Sequence, residues 1–353
     1  MFGSCHYVPV LRWKQAERLA LSYLDDVDKE GMTPLVELPP RYFDDVAVQD
    51  FDATVVEIAA DLTTSWGRRP VFVDLSKVPT ISGTRHPVTT FSLTARQYGL
   101  TPILVTGLTR PAHFQRAVAA GSPASGAGVC IRLTRQDLSS TGFVERLRTV
   151  LSTLDVTPEK VDLVVDYAVW DSGAPSFGYL TSRIPGIERW RTFTLLAGSF
   201  PPDLRVFERP GQYEWSRDEW VSWRDQVLNK PPALLRLPAY GDYTIQFGLA
   251  VAPPDHPNVS ASIRYTAEDH WVVMRGEGLF HKTSPGSKQY IANAELLCLR
   301  KEFCGAPFSY GDGYIAQVAS REIATPGNPM TWLRAGINHH LVFVVRQLAH
   351  ISI

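Results

Sequence analysis

Eight short runs rich in Val, Ile and Leu recur along the 353 residues at a nearly constant interval, and this repeat constrains the fold more than any other feature. They are YVPVLR from Tyr7, TPLVEL from Thr33, PVFVDL from Pro70, TPILVTG from Thr101, GVCIRL from Gly128, VDLVVDY from Val161, RTFTLLAGSF from Arg191 and LLRLPAYGDY from Leu234. Each is apolar almost throughout. Alternating polarity would mark a strand with one wet face, whereas continuous apolar residues mark strands covered on both faces, as in parallel sheets. Parallel neighbours need crossovers, usually helical. The intervening segments WKQAERLALSYL, DATVVEIAADLTTSW, FSLTARQYG, PAHFQRAVAA, FVERLRTVLSTL and EWVSWRDQVLN have helix-like apolar spacing or helix-favouring composition. The run starts lie about 30 residues apart, the length of one strand-helix-strand unit.

Eight such units close a TIM-like (β/α)8 barrel, the expected fold, with residues 1–250 as its core. A doubly wound open sheet uses the same units and differs in strand order. The barrel is preferred because eight is the closing number and no GxGxxG turn follows any run. After the eighth run the texture changes. VAPPDHPN is a proline-rich loop, ASIRYT and HWVVMRG read as a two-stranded β-ribbon, and the chain from Lys288 onward turns helical. Residues 251–353 are therefore expected to form a C-terminal β-ribbon plus helical extension packed on the barrel. HHLVFVVRQLAHI from His339 is the candidate for the last barrel helix.

The charge balance, 35 Lys+Arg against 36 Asp+Glu, excludes a uniform basic field for polyphosphate or anionic membrane, so nucleic-acid contact would need a local patch. Cys5, Cys130, Cys298 and Cys304 form no CxxC pair and are too sparse for a disulfide framework. With neither a signal-like apolar core at the N-terminus nor an aliphatic stretch long enough to span a bilayer, a reducing cytoplasm and no membrane partner are expected.

In barrels the C-terminal strand ends face the active-site mouth. Here they carry Arg12 and Lys14, Glu37, Asp74, Thr106, Arg132, Asp166 and Tyr167, Ser199, and Tyr240 with Asp242. Glu37, Asp74, Asp166 and Asp242 are the candidate catalytic residues, as paired acids for acid/base work or as carboxylate ligands. Glu37, Asp74 and Asp166 are the candidate ligands for Mg²⁺ or Mn²⁺. Lys14, Arg132, Tyr167, Ser199, Tyr240 and His340 are the candidate binding residues for an anionic, phosphate-bearing ligand, nucleotide or nucleic acid. The competing account is that strands must end in something polar, with Arg132 and Asp166 as a rim ion pair.

Other features read as structural. His339 and His340 are adjacent and would point roughly 100° apart on a helix, which suits a polar pair at a helix N-terminus better than joint metal ligation. His86, in the loop SGTRHP, could reach the mouth as an acid or base. SYGDGYIA reads as a tight turn that caps a helix, and the tryptophans as packing residues. GxSxG, HExxH and P-loop motifs are absent.

YVPVLRWKQAERLAL followed by TPLVELPP and PVFVDL, then FSYGDGYIA and GNPMTWLRAGINHHL, resembles the beta protein family, named after a protein of T-even bacteriophage. The resemblance covers essentially the whole chain. Its distinctive elements are Trp13, Lys14 and Glu17, the Glu37-Leu38-Pro39-Pro40 strand end, and Trp332 to His340. It implies a phage or bacterial setting, near mobile or defence genes, and adds weight to Lys14, Glu37, Trp332 and His340. It brings no reaction with it. Two expectations follow: a barrel mouth that binds a phosphate-bearing ligand, with a metal-dependent phosphodiesterase or nuclease as its enzymatic form, or a non-enzymatic module that recognises a phage or host protein.

Overall fold

The computed structural model describes residues 2–171, 176–208, 210–229, 234–249, 259–280, 282–323 and 325–351. Its strands are β1 (Tyr7–Leu11), β2 (Leu35–Glu37), β3 (Pro70–Asp74), β4 (Thr101–Thr106), β5 (Val129–Thr134), β6 (Val161–Val169), β7 (Thr192–Gly198), β8 (Gly211–Ser216), β9 (Ala239–Asp242), β10 (Ile263–Thr266) and β11 (His270–Arg275). Its helices are α1 (Gln15–Ser22), α2 (Asp26–Glu30), α3 (Phe51–Trp66), α4 (Pro87–Gln97), α5 (Ala112–Ser125), α6 (Arg135–Ser139), α7 (Phe143–Leu154), α8 (Phe177–Arg183), α9 (Asp218–Asn229), α10 (Gln289–Cys298), α11 (Tyr310–Ala319) and α12 (Pro329–Ala349).

Strands β1 to β7 and β9 pair in sequence order, all parallel, and β9 returns to β1 through Tyr7 opposite Tyr240 and Pro9 opposite Asp242. The eight apolar runs are thus the eight staves of a closed barrel, and the open sheet is excluded. Both faces are dry, as the unbroken apolar runs require. Val8, Val10, Leu35, Phe72, Ile103, Val105, Cys130, Val164, Leu196 and Tyr243 pack together inside the barrel. The alternate residues, among them Val36, Val73, Ile131, Val165 and Leu195, pack outward under the helices.

The connection from β7 to β9 departs from expectation. It carries β8, which pairs antiparallel with β11, so the ribbon is a three-stranded sheet of order β10-β11-β8. GQYEWS is not an apolar run, because only its alternate aromatic residues are covered: Tyr213 stacks on Phe207, and Trp215 meets Phe207 edge-on. The expected proline-rich loop at 251–258, and with it the boundary drawn at 250/251, lies outside the described residues.

Behind this sheet a second core forms from Ile263, Tyr265, Val272, Met274, Tyr290, Leu297, Ile315 and Trp332. Helix α12 serves both cores: Trp332 and Ala335 face the second, while Ile337, Leu341, Val344 and Leu348 face the barrel. It packs on α1 and β1, the place of a helix following the last strand. Asn328 caps it by accepting from the Thr331 N–H at 3.1 Å, with Pro329 in the first turn. His339 therefore sits mid-helix, ten residues beyond the helix start, and not at an N-terminus as the sequence suggested. SYGDGYIA does cap a helix as expected: Ser309 is the N-cap of α11, accepting from the Asp312 N–H, and the rest of the motif forms that helix's first turns. No helix among the described residues is long and apolar enough to cross a membrane.

Candidate functional site

The inward parity of the strands brings three of the four expected carboxylates together. Glu37 and Asp74 stand opposite one another at the ends of β2 and β3, and Asp166 lies across the mouth on β6. Arg132, inward on β5, reaches into their midst. Its Nη1 donates to Glu37 Oε1 at 2.6 Å and Asp74 Oδ2 at 3.2 Å, and its Nη2 donates to Asp166 Oδ2 at 2.6 Å and the Tyr243 hydroxyl at 3.0 Å. The Tyr243 hydroxyl in turn donates to Asp166. All five side chains are buried.

Burial alone would raise the Glu37 carboxyl, but the charges of Arg132 and Lys77 and their hydrogen bonds hold it down at about 2. Glu37 is thus a fixed carboxylate at neutral pH. Lys77 Nζ lies 3.2 Å from Glu37 Oε2, and Arg110 Nη2 lies 3.2 Å from Asp74 Oδ2. Arg12 stands 4.0 Å from Glu37, over the ring of Tyr243. Four cations therefore surround three anions, and the two most exposed members are cations: Lys77 at 43% and Arg110 at 29%.

The strand-end aspartates also shape the loops. Asp74 accepts from the Ser76 N–H at 3.0 Å, Asp166 from Ala168 at 2.7 Å, and Asp242 from Thr244 at 2.9 Å. Each is an Asx turn, which explains why an acidic residue ends the strand. Trp13 and Thr244 follow the ends of β1 and β9 with φ of 42° and 58°, and Ala168 sits with φ of 56° at the irregularity in β6 after Asp166, a left-handed region that costs non-glycine residues energy and tends to occur at functional sites. Past β9 the chain crosses the mouth. Gly248 lies so close to β6 that a Cβ there would come within 1.8 Å of the Ala168 carbonyl, and Arg12 Nη2 donates to the Phe247 and Gly248 carbonyls at 2.6 and 2.8 Å.

Asp242 does not join the mouth, and its expected place there is corrected. Gly241 and Tyr243 have the inward parity, so Asp242 and Tyr240 point outward, toward α9 and α12. Asp242 receives the Tyr7 hydroxyl at 2.5 Å and pairs with His340 Nε2 at 2.9 Å, while His340 Nδ1 meets the Thr266 hydroxyl at 2.8 Å. Burial drives His340 below its ordinary value. A neutral ring with its proton on Nε2 satisfies both partners, donating to Asp242 and accepting from Thr266. Asp242 is held low: burial opposes this, but the interactions with His340 and Tyr7 and the charge of Arg217 outweigh it. The Tyr240 hydroxyl lies 3.1 Å from Asp242 and 3.2 Å from Glu219, whose carboxyl burial pushes up to about 7.

The other expected binding residues separate in the same way. Ser199 is outward and accepts from the Asp218 N–H at 3.0 Å at the start of α9, while its hydroxyl donates to Glu219. Tyr167 is outward, beside Trp170 and under Arg135. Lys14 ends the β1 loop as the N-cap of α1, its N–H donating to Glu17 at 2.9 Å. Thr106 is wholly buried on the outward side of β4. His86 caps α4, accepting from the Val88 N–H at 3.3 Å. His339 and His340 diverge as expected: His339 pairs with Asp312 at 2.8 Å inside the second core. Tyr243, Lys77 and Arg110 were missed. Tyr243 could have been found by counting alternation past Asp242, but nothing local marks the two rim cations.

Eight parallel strands wrapped by helices, with a charged network at the C-terminal mouth, define a (β/α)8-barrel protein. The chain belongs to the Beta protein family, whose model matches residues 7–346. No curated protein matches it. Among solved structures it is similar to a mutant tryptophan synthase alpha-subunit from the hyperthermophile Pyrococcus furiosus, at 10% identity and a TM-score of 0.27, over 56% of this chain and 88% of that one. At that score the likeness carries no argument, and the barrel rests on its own strand pairing.

Proposed function

We propose that the barrel mouth binds an anionic, phosphate-bearing ligand, such as a nucleotide or a nucleic-acid end, in the phage and host setting that the family resemblance implies. The observation that carries this reading is the excess of cations over carboxylates, with Lys77 and Arg110 at the accessible rim. A phosphate arriving there meets two donors whose present partners, Glu37 and Asp74, keep their hydrogen bonds from Arg132. The reading is one of recognition first. A hydrolytic step assisted by Mg²⁺ or Mn²⁺ would require Glu37, Asp74 and Asp166 to exchange the Arg132 guanidinium for the ion, since their oxygens converge on it.

The test is thermal denaturation of the purified protein with Mg²⁺, Mn²⁺, nucleotides and short DNA and RNA, followed by calorimetry on any binder. A ligand at a hundredfold excess over its dissociation constant raises stability by about 2.7 kcal/mol. Lys77→Ala and Arg110→Ala should each weaken binding about tenfold, the effect of losing one charge-assisted hydrogen bond. Absence of any shift, or affinities unchanged in both variants, refutes the reading. The second reading, a protein-interaction module, is favoured by Leu296 and Leu299, 43% and 84% exposed on the C-terminal extension. It predicts that substitutions there abolish function while mouth substitutions do not.

A further inference from the structure

A separate group of metal-ligating side chains lies on the three-stranded sheet, outside the barrel. One ring nitrogen of His270 and one carboxylate oxygen each of Glu214 and Glu302 lie within 4.8 Å of one another, the only such group among the described residues. The fold brings together three distant stretches of chain to do this. Ser216 of β8 stands opposite His270 of β11, so Glu214, two residues away, shares that face by the period of two. Glu302 follows α10 and reaches the sheet with its side chain only 7% exposed.

The histidine has the hydrogen bonding of a metal ligand. Its Nδ1 is paired with the Asp269 carboxylate at 2.9 Å, and its Nε2 is buried with no hydrogen-bond partner. A carboxylate on one ring nitrogen fixes the tautomer and raises the basicity of the other, the usual support for a metal-bound imidazole. Arg300 bridges the two glutamates, touching Glu214 Oε1 and, at 2.9 Å, Glu302 Oε2, while the highly exposed Lys301 ammonium stands 4.0 Å from Glu302 Oε1, beyond hydrogen-bond reach, so that a cation binding there would displace only this loose contact.

We propose that Glu214, His270 and Glu302 bind one divalent cation of the zinc class, stapling β8 and β11 to the segment after α10. One imidazole and two carboxylates suit Zn²⁺ or Co²⁺ and disfavour Mg²⁺, which prefers all-oxygen octahedral surroundings. The site is independent of the mouth and of any ligand bound there.

The experiment is titration of the full chain with Co²⁺, read by visible absorption, and with Zn²⁺, read by calorimetry and thermal denaturation. We expect one equivalent to bind and raise the melting temperature, Mg²⁺ in excess not to compete, and His270→Ala and Glu302→Gln each to lower affinity about tenfold or more. Glu214→Gln changes a side chain that is 56% exposed, so it tests the site even if Glu302→Gln perturbs folding. The assignment is overturned by no binding, by binding equal in wild type and His270→Ala, or by a thiolate-to-cobalt band that places the ion on a cysteine.

Discussion

Two buried polar clusters sit at the same end of the barrel, a wall's thickness apart, and they use similar residues for different ends. Inside, Arg132 gathers Glu37, Asp74 and Asp166 under a rim that keeps exposed cations. Outside, Asp242 gathers His340, Tyr7 and Tyr240 between the wall and α12, where all four are almost wholly buried. The inner cluster reaches solvent through Lys77 and Arg110, and it is the one we propose as the ligand site. The outer one fastens the C-terminal helix. Asp166 closes the regular ladder of β6, Asp242 ends β9, and both form an Asx turn, so only the direction of the side chain separates them.

Three substitutions test that contrast. The largest effect is expected from Arg132→Met, which leaves three buried carboxylates without their common cation. Stability should fall by about 3–5 kcal/mol in urea denaturation at neutral pH, and a loss under about 1 kcal/mol would mean that the network is wetter than its burial indicates. Asp242→Ala should cost roughly 2–3 kcal/mol by removing the acceptor shared by His340, Tyr7 and Tyr240. It should leave ligand binding at the mouth unchanged, and a binding defect in the folded variant would erase the distinction between the clusters.

The smallest effect is a pH slope from Glu219. Its folded pKa, about 7, lies above the ordinary 4.5, so its contribution is fully present below about 4.5 and is lost as pH rises through about 7. Between these values wild-type stability should decline relative to Glu219→Gln by at most about 1.4 kcal/mol per pH unit. Parallel curves would show that Glu219 is ionised in the fold. Glu37 works in the opposite sense: its stabilisation is present above about 4.5 and is lost as pH falls toward about 2.

The barrel was legible because its signal is local and repeated. Each unit announces itself by an apolar run and a helical crossover, and α1, α3, α4, α5, α7 and α9 fall where that spacing predicts them. Glu37, Asp74, Arg132 and Asp166 were legible as polar residues ending such runs. Asp242, Tyr240, Ser199 and Tyr167 gave the same signal and were misplaced, because a strand buried on both faces does not show in its sequence which face is inward. Strand β8 was missed for the converse reason: its alternation is visible, but its partner β11 lies more than fifty residues on.

Periodicity along the chain, enforced by the burial needs of successive segments, determined eight strand-helix units and a C-terminal extension, while closure of the strands into a barrel was decided by the pairing of β9 with β1. What each charge does there was decided by barrel closure, which turns one parity inward, and by α12, which returns from the far end of the chain to cover the other. Side-chain direction and pairing depend on elements hundreds of residues apart in sequence, as His340 and Tyr7 are. That is why Arg132 could be recognised as a strand-end residue, while its place among three carboxylates emerged only from the folded structure.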